Sequence, residues 1–322
     1  MIQNYLLDRL RVIRNNYFRL QNNNLHSRLS EKKSYQKERF DSLAPKLLKK
    51  YDQIRGLNID RFTTSLWKKF NNQIERALLP VPSFSFLNDP TIMVSMFATA
   101  GGEWMRRELI FLEKMVNKNK LSKVLEEDYV GNPLLLNSLF LTSHTAIHHL
   151  YHLIKFLKAT KSDVEKMGTI LEWGGGYGSL IRLIKKFKSK QSTYIIIDTP
   201  LFSCLQWLYL STIFGEKEIN LILNKNVKII KNKINLVPVS FLDDIEIKAD
   251  LFISTWALSE SSKYSQDFVL KKNWFDAKHI LLAYQDNPEG LFNPSRVGSL
   301  AQAKGAIIED MPYLRGNHYA FL

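Results

Sequence analysis

The sequence predicts an α/β protein in which a helical amino-terminal half is followed by a seven-stranded, mostly parallel sheet. Beyond residue 165, apolar runs of strand length alternate with helix-length segments, which favours a parallel sheet covered by helices on both faces. The first run ends in Gly174, Gly175 and Gly176, which is typical of a buried strand that turns tightly into a helix. We place the strands at residues 169–173, 193–197, 235–239, 251–255, 279–284, 306–309 and 317–321.

The first half is predicted to be helical because strand-like alternation is scarce there. Leu6, Leu10 and Ile13 continue a helical stripe, and residues 42–51, 67–79 and 103–117 carry similar patterns. Residues 134–159 are predicted to form one long helix that leads to the first strand.

The net charge of +14 is concentrated near the amino terminus, where residues 1–75 hold sixteen lysines and arginines against seven acidic residues. Such a segment fits nucleic acid, or the anionic headgroups of a membrane surface or an anionic sugar carrier. It also fits an ordinary solvated surface. The charge alone leaves these interpretations open.

The remaining composition favours a cytoplasmic protein. A single cysteine, Cys204, permits no intrachain disulfide and fits a reducing compartment. The first residues carry arginines within their apolar stretch, unlike a secretory signal, and no segment is expected to span a membrane. Peripheral membrane contact stays possible, and the sequence does not fix the oligomeric state.

The spacing of the glycines indicates a nucleoside site. Gly174, Gly176 and Gly178 form G-x-G-x-G, with Ser179 where a dinucleotide fingerprint would have its third glycine. No Gly-Lys-Ser/Thr follows, which excludes a P-loop. The second apolar run ends in Asp198, so a carboxylate is expected at the neighbouring strand tip, on the same edge of the sheet.

Together with the preceding Glu172, this turn resembles motif I of the class I S-adenosylmethionine-dependent methyltransferases. The resemblance implies a Rossmann-like methyltransferase sheet with its last strand inserted antiparallel, and S-adenosylmethionine as the cofactor. In that family the glycine turn lies against the amino acid and ribose parts of the cofactor, and the second acidic residue takes the ribose hydroxyls. The cofactor-binding residues expected here are Glu172, Gly174, Gly175, Gly176, Gly178, Asp198, Ser240, Phe241 and Thr255.

Further motifs occur in an order that is similar to the sugar O-methyltransferase family of bacterial surface-polysaccharide gene sets. They are GNP at 131–133, WGGGYGSL at 173–180, YIIIDTP at 194–200, LQWLYLS at 205–211 and DLFISTWALSE at 250–260. The likeness covers residues 126–284. It implies methyl transfer to a sugar hydroxyl in polysaccharide biosynthesis, with a sugar or glycan precursor as acceptor. The division expected is a helical acceptor domain at 1–125, a linking helix at 126–165 and the methyltransferase domain at 166–322.

The end of the fourth strand favours an oxygen acceptor. Methylation of amino groups commonly uses an Asn/Asp-Pro-Pro-aromatic segment there, whereas this chain has Ser254, Thr255, Trp256 and Ala257. A cytosine-type reaction needs a cysteine nucleophile, and Cys204 lies on the wrong element. A hydroxyl acceptor remains.

Methylation of a hydroxyl needs alignment of the acceptor oxygen and a base that removes its proton. The candidates for this base are Glu260, after the fourth strand, and the helical pair His144 and His148. A histidine pair at this spacing also suits a metal, but the sequence offers no obvious third ligand, so no metal is expected.

Two other functions stay open on the sequence alone. One is an RNA methyltransferase that grips phosphate with its basic first 75 residues. The absence of a recognisable RNA-binding motif makes nucleic acid the less favoured partner. The other is a non-catalytic module that has kept the cofactor fold. The intact glycine turn with both Glu172 and Asp198 weighs against such decay.

Overall fold

A computed structural model describes residues 2–96, 98, 102–286 and 296–322. The strands in these residues are β1 (Leu135–Asn137), β2 (Thr142–Ser143), β3 (Thr169–Trp173), β4 (Thr193–Asp198), β5 (Ile219–Leu221), β6 (Ile234–Pro238), β7 (Leu251–Thr255), β8 (His279–Gln285), β9 (Ile307–Asp310) and β10 (Asn317–Phe321). Eight of them form one sheet in the spatial order β5-β6-β4-β3-β7-β8-β10-β9. The first six in this order run parallel, and β10 is antiparallel to both of its neighbours. The other two, β1 and β2, form a small antiparallel pair.

The sheet confirms the predicted α/β class. Each of the seven predicted strands is present with bounds that differ by at most one residue, and the last strand inserts antiparallel as the resemblance implied. Within this sheet the sequence analysis missed β5, which extends the edge next to β6, and it also missed the short pair β1 and β2. Only three residues long, β5 is too short to show an apolar alternation.

Helices cover the sheet and make up most of the first half of the chain. They are α1 (Ile2–Gln21), α2 (Asn23–Ser27), α3 (Ser30–Tyr51), α4 (Ser65–Leu78), α5 (Pro90–Ser95), α6 (Glu103–Met115), α7 (Lys118–Leu125), α8 (His144–Thr160), α9 (Ser179–Phe187), α10 (Pro200–Phe214), α11 (Ala257–Glu260), α12 (Lys263–Lys271) and α13 (Val297–Ala303). Single 3₁₀ turns lie at Phe86–Asn88, Val164–Lys166, Glu216–Glu218 and Val239–Phe241, and Asn273–Asp276 forms a left-handed turn with a positive φ at each residue. Among the residues described, no helix is both long and apolar enough to cross a bilayer.

The predicted single helix over residues 134–159 is wrong in its first ten residues. There the side chain of Asn137 accepts hydrogen bonds from the backbone N–H groups of Leu139 and Phe140, and Leu141 has a positive φ of 49°. Helix α8 begins only after Ser143, whose hydroxyl accepts from the N–H of Ala146 at 3.1 Å. Local side-chain caps of this kind compete with helix formation, so the periodic apolar pattern overestimates the length of the helix.

The two halves of the chain share a continuous apolar core. Helix α10 is buried along most of its length and packs against strands β4, β5 and β6 on one side and against α3 on the other. One cluster of buried side chains extends from Phe40 on α3 to Phe321 on β10. The predicted division at residues 125 and 165 stays a prediction.

A buried ion network fixes α9 to the segment before β1. Arg182 is fully buried, and its Nη1 donates to Glu127 at 2.6 Å and to Asp128 at 3.0 Å. Lys186, one turn further along α9, also pairs with Asp128 at 2.6 Å. These cations hold the pKa of Asp128 well below its usual range, although burial by itself raises it. The network positions the helix that follows the glycine turn.

Replacing Arg182 is expected to destabilise the protein strongly, because Glu127 and Asp128 would keep buried charges with too few partners. We expect Arg182→Met to lower the free energy of unfolding by about 3–5 kcal/mol, measured by urea denaturation. The matched control is Lys185→Met on the same helix, where the partly exposed pair with Glu218 contributes about 1 kcal/mol or less. Equal losses in the two variants would contradict the role given to Arg182.

Candidate functional site

A cavity of about 410 Å³ lies at the carboxyl ends of β3, β4 and β7. Residues from both halves of the chain line it. The first half contributes Phe62, Thr63, Trp67, Val94, Ser95, Met96, Thr145, His148 and His149. The strand ends and the loops after them contribute Glu172, Trp173, Gly174, Gly175, Gly176, Tyr177, Ile197, Asp198, Thr199, Phe202, Val239, Thr255, Trp256, Ala257, Glu260, Ser261, Gln285, Leu314 and Asn317.

The glycine turn leaves β3 at a point where only glycine fits. The N–H of Gly174 donates to the carbonyl of Ile197 at 2.8 Å, and its φ is +75°. A Cβ atom on Gly174 would lie 2.1 Å from the Cβ of Ala257. The turn is therefore packed between the ends of β4 and β7.

Gly176 differs from Gly174 because it faces open space. Its φ of +55° also favours glycine, but a Cβ there would meet no described heavy atom within 4 Å. Gly178 lies at the start of α9 with a φ of +97° and packs against Leu210, outside the cavity wall. Gly174 thus shapes the turn, and Gly176 leaves room above it.

Asp198 lies at the tip of β4 and is held from three directions. Its carboxylate accepts from the N–H of Thr199 at 2.8 Å and from Gln206 Nε2 at 2.9 Å. The same Gln206 nitrogen donates to the carbonyl of Gly176 at 2.9 Å, which ties the carboxylate to the glycine turn. Burial raises the pKa of Asp198 to about 7, and the N–H donors, including those of Gly175 and Gly176, oppose this rise.

Sequence reasoning missed Gln206, although it lies within the LQWLYLS motif. Its signal is a single amide side chain in the middle of α10, a helix that is otherwise almost wholly apolar and buried. A buried amide of this kind needs hydrogen-bond partners. Here the partners are the carboxylate of Asp198 and the carbonyl of Gly176.

Glu172 is a buried carboxyl group next to the same turn. Its Oε2 has no hydrogen-bond partner among the described residues. Burial, and secondarily the charge of Asp198, raise the pKa of Glu172 to about 8. An unpaired buried carboxylate is costly, so this position suits a ligand that brings a positively charged group.

Glu260, at the end of α11, lies on another part of the cavity wall. Its carboxylate accepts from Trp67 Nε1 at 3.2 Å and from Gln285 Nε2 at 3.0 Å. Burial raises the pKa of Glu260, and these two donors lower it. Neither Trp67 nor Gln285 was a candidate from the sequence, because they lie on distant parts of the chain.

Trp256 forms an aromatic wall beside this carboxylate. Its φ is +64°, a strained value for a tryptophan, and its backbone N–H donates to Ala283 at 2.6 Å. The indole Nε1 donates to Asn317 Oδ1 at 2.6 Å, and its ring stacks against that of His148 with centroids 5.6 Å apart. The strained backbone lies at the cavity wall, where such strain commonly accompanies function.

Of the two candidate histidines, His148 lines the cavity and His144 does not. The Nδ1 atom of His148 lies 2.8 Å from Glu108 Oε1, a residue of α6 that the sequence analysis did not single out. His144 packs against Trp104 with ring centroids 4.3 Å apart. Burial raises the pKa of Glu108 to about 9 and lowers that of His148 to about 3, so both shifts favour the neutral groups.

The structure also places the three remaining predicted residues. Thr255 lines the cavity, whereas Ser240 and Phe241 do not. The hydroxyl of Ser240 donates to the carbonyl of Asn58 at 2.9 Å, and Phe241 is buried in the core. Val239 lines the cavity at this strand end.

Neither a protein-family model nor a curated protein sequence matches this chain. Solved structures resemble it weakly. A SAM-dependent methyltransferase from Aquifex aeolicus is 17% identical over 48% of this chain and 81% of its own, with a TM-score of 0.30. Mitomycin 7-O-methyltransferase is 14% identical over 77% of this chain and 74% of its own, with a TM-score of 0.36. The 16S rRNA methylase ArmA is 12% identical over 69% of this chain and 98% of its own, with a TM-score of 0.33. TM-scores this low do not establish a shared activity, so the function proposed below rests on this chain's own residues.

Alanine substitutions at Gly174 and Gly176 should show that Gly174 is needed for packing of the turn and Gly176 for the open space above it. Gly174→Ala should lower the stability of the protein without ligand, because its methyl group would overlap Ala257 and its φ is strained. Gly176→Ala carries only the backbone strain of about 1–2 kcal/mol, but its methyl group would enter the space above the turn. Thermal unfolding of each variant measures the loss of stability, and titration with S-adenosylmethionine measures the effect of the methyl group in the space above the turn. Equal stability of the two proteins would contradict this assignment.

The stability of the ligand-free protein should fall as pH rises, in part because of Glu172. Its pKa is about 8 in the folded protein and 4.5 ordinarily, so the folded state holds this proton more tightly. Its contribution to the free energy of unfolding is complete below about pH 4.5 and is lost as pH rises to about 8. We expect Glu172→Gln to flatten the dependence in that window, measured by denaturation at several pH values. An unchanged slope would show that Glu172 titrates normally.

Proposed function

We propose that this protein is an S-adenosylmethionine-dependent O-methyltransferase that acts on a sugar hydroxyl. The observation that carries the proposal is that one cavity contains both the glycine turn with Asp198 and the carboxylate of Glu260. A cofactor site and a proton acceptor therefore lie within one cavity. Cytoplasmic surface-polysaccharide biosynthesis is part of the proposal and rests on the motif order of the sequence.

The residues around the turn fit S-adenosylmethionine. The carboxylate of Asp198 suits the two hydroxyls of a ribose, and the space over Gly176 admits a ligand close to the backbone. The unpaired Oε2 of Glu172 suits an ammonium group, which the amino acid part of the cofactor carries. When bound, S-adenosylmethionine supplies an electrophilic methyl group on a sulfonium sulfur.

Glu260 is the base that we assign to the acceptor hydroxyl. Burial raises its pKa, which makes it a stronger proton acceptor than an ordinary carboxylate. Trp67 and Gln285 each donate to one of its oxygens, so the group is oriented before an acceptor arrives. Trp67 and Trp256 line the cavity, and indole rings suit the apolar face of a sugar ring.

The basic amino terminus supports a small acceptor more than RNA. At least seven of its sixteen basic residues are paired with carboxylates of the same chain, which reduces the field available to phosphate. Ion pairs within 4 Å involve Lys32, Lys37, Lys46, Lys50, Arg55, Arg61 and Lys68. The intact turn, together with the oriented Glu260, also supports an enzyme over a binding module.

The decisive experiment transfers labelled methyl groups from S-adenosylmethionine into a cell extract that is then separated into carbohydrate and RNA fractions. We expect label in the carbohydrate fraction. Asp198→Ala should weaken cofactor binding by about 1–3 kcal/mol, or roughly 5- to 150-fold, and reduce the label accordingly. Label in RNA would overturn the sugar acceptor and assign the basic segment to phosphate.

Glu260→Gln separates the acceptor chemistry from cofactor binding. The amide keeps the shape of the side chain but cannot accept the proton, so transfer should fall by about 10²–10⁴-fold. Cofactor affinity, measured by calorimetry, should stay at the wild-type value. Wild-type transfer in this variant would exclude Glu260 as the base.

A further inference from the structure

We propose that Glu108, His144 and His148 form a binding site for a divalent transition-metal ion, with zinc as the ion, beside the acceptor end of the cavity. The ligand atoms of these three residues all lie within 4.8 Å of one another. The binding site stands on this geometry, while the catalytic role given to the metal below rests on the proposed function.

Two packed helices bring the three ligands together. His144 and His148 lie one turn apart on α8, whose start is fixed by the cap at Ser143, and Glu108 comes from α6, which packs along α8. All three side chains are buried, with exposures of 1% for Glu108, 1% for His144 and 4% for His148. The histidine spacing was visible in the sequence, but the third ligand, 36 residues before His144, was not.

One carboxyl oxygen of Glu108 is available to bind a metal ion. Its Oε1 lies 2.8 Å from His148 Nδ1, while its Oε2 is buried without a well-formed hydrogen bond among the described residues. Burial raises the pKa of this carboxyl group, and the side chain of Tyr313 approaches it closely enough to oppose part of that rise. An unpaired oxygen in the interior costs free energy unless a cation or a donor reaches it. A metal ion between the carboxylate and the two imidazoles would satisfy that oxygen.

The donor set selects the class of metal. Two imidazole nitrogens and one carboxylate oxygen suit zinc and similar transition ions, whereas magnesium and calcium prefer oxygen ligands alone. The ring of Trp104 packs on both histidines, with centroids 4.3 Å from His144 and 4.9 Å from His148. Together with the stacking of Trp256 on His148, these contacts restrict the orientation of the imidazole rings.

Three protein ligands leave a fourth position on a tetrahedral ion, which is the arrangement of a catalytic rather than a structural site. Of the three ligands only His148 lines the cavity, and the proposal places the open position on that side, towards the acceptor. An acceptor hydroxyl bound there would lose its proton more easily, and Glu260 would accept that proton. Because the metal would make the hydroxyl more acidic, Glu260 could accept its proton as a weaker base.

The test measures zinc binding directly and does not depend on methyl transfer. Full-length protein is dialysed against a chelator, then equilibrated with zinc and analysed by elemental mass spectrometry and calorimetry. We expect one zinc per chain, with affinity at least tenfold weaker in Glu108→Gln and in His144→Gln. His149→Gln is the matched control, since this neighbouring histidine of α8 is not part of the cluster, and it should bind zinc as the wild type does.

Cobalt gives a second measurement that needs no variant. Cobalt in a four-coordinate site of nitrogen and oxygen ligands shows intense visible absorption, and zinc should displace it. Unchanged zinc affinity in both Glu108→Gln and His144→Gln, or no bound metal and no cobalt spectrum in the wild type, would overturn the proposal. Cofactor affinity measured on the same samples tests the proposed function separately, because the Asp198 and glycine residues do not take part in the metal site.

Discussion

The close approach of β3, β4 and β7 at their carboxyl ends is the constraint on which the site depends. Gly174 lies at the centre of this contact, bonded to the carbonyl of Ile197 and packed against Ala257. Because glycine has no side chain, the tips of the three strands can converge at this point. Their convergence places Asp198 from one strand and the start of α11 from another around a single space. A bulkier residue would separate the cofactor residues from those assigned to the acceptor.

The sequence was sufficient for the parts of the fold that local pattern determines. Seven strands, the glycine turn and the position of Asp198 followed from apolar runs and from where they end. Two features did not follow. Strand β5 is too short to show a pattern, and residues 134–143 are governed by the side-chain caps of Asn137 and Ser143 rather than by apolar periodicity.

The partners of the candidate site residues were beyond sequence reasoning for a different reason. Gln206 bridges Asp198 and the glycine turn, and Glu108 meets His148 from another helix. Gln206 is only 8 positions from Asp198 but 30 from Gly176. Glu108 is 40 positions from His148, so these contacts depend on tertiary packing that periodicity does not encode. Ser240 illustrates the opposite case, since its position after a strand suggested the cavity but its hydroxyl bonds to Asn58 instead. A position at a strand end indicates that a residue lies near the cavity, and the packing of the fold decides whether its side chain lines it.

The bond from Trp67 to Glu260 joins residues 193 positions apart in the chain. Closing so long a loop carries an entropic cost that local structure cannot offset, so contacts of this kind form only with the assembled tertiary fold. The cofactor turn, by contrast, is built from residues close in sequence. The proposed active centre therefore combines contacts of different range: the glycine turn itself is local, whereas its packing against Ala257 and the bond from Trp67 to Glu260 exist only in the assembled tertiary fold.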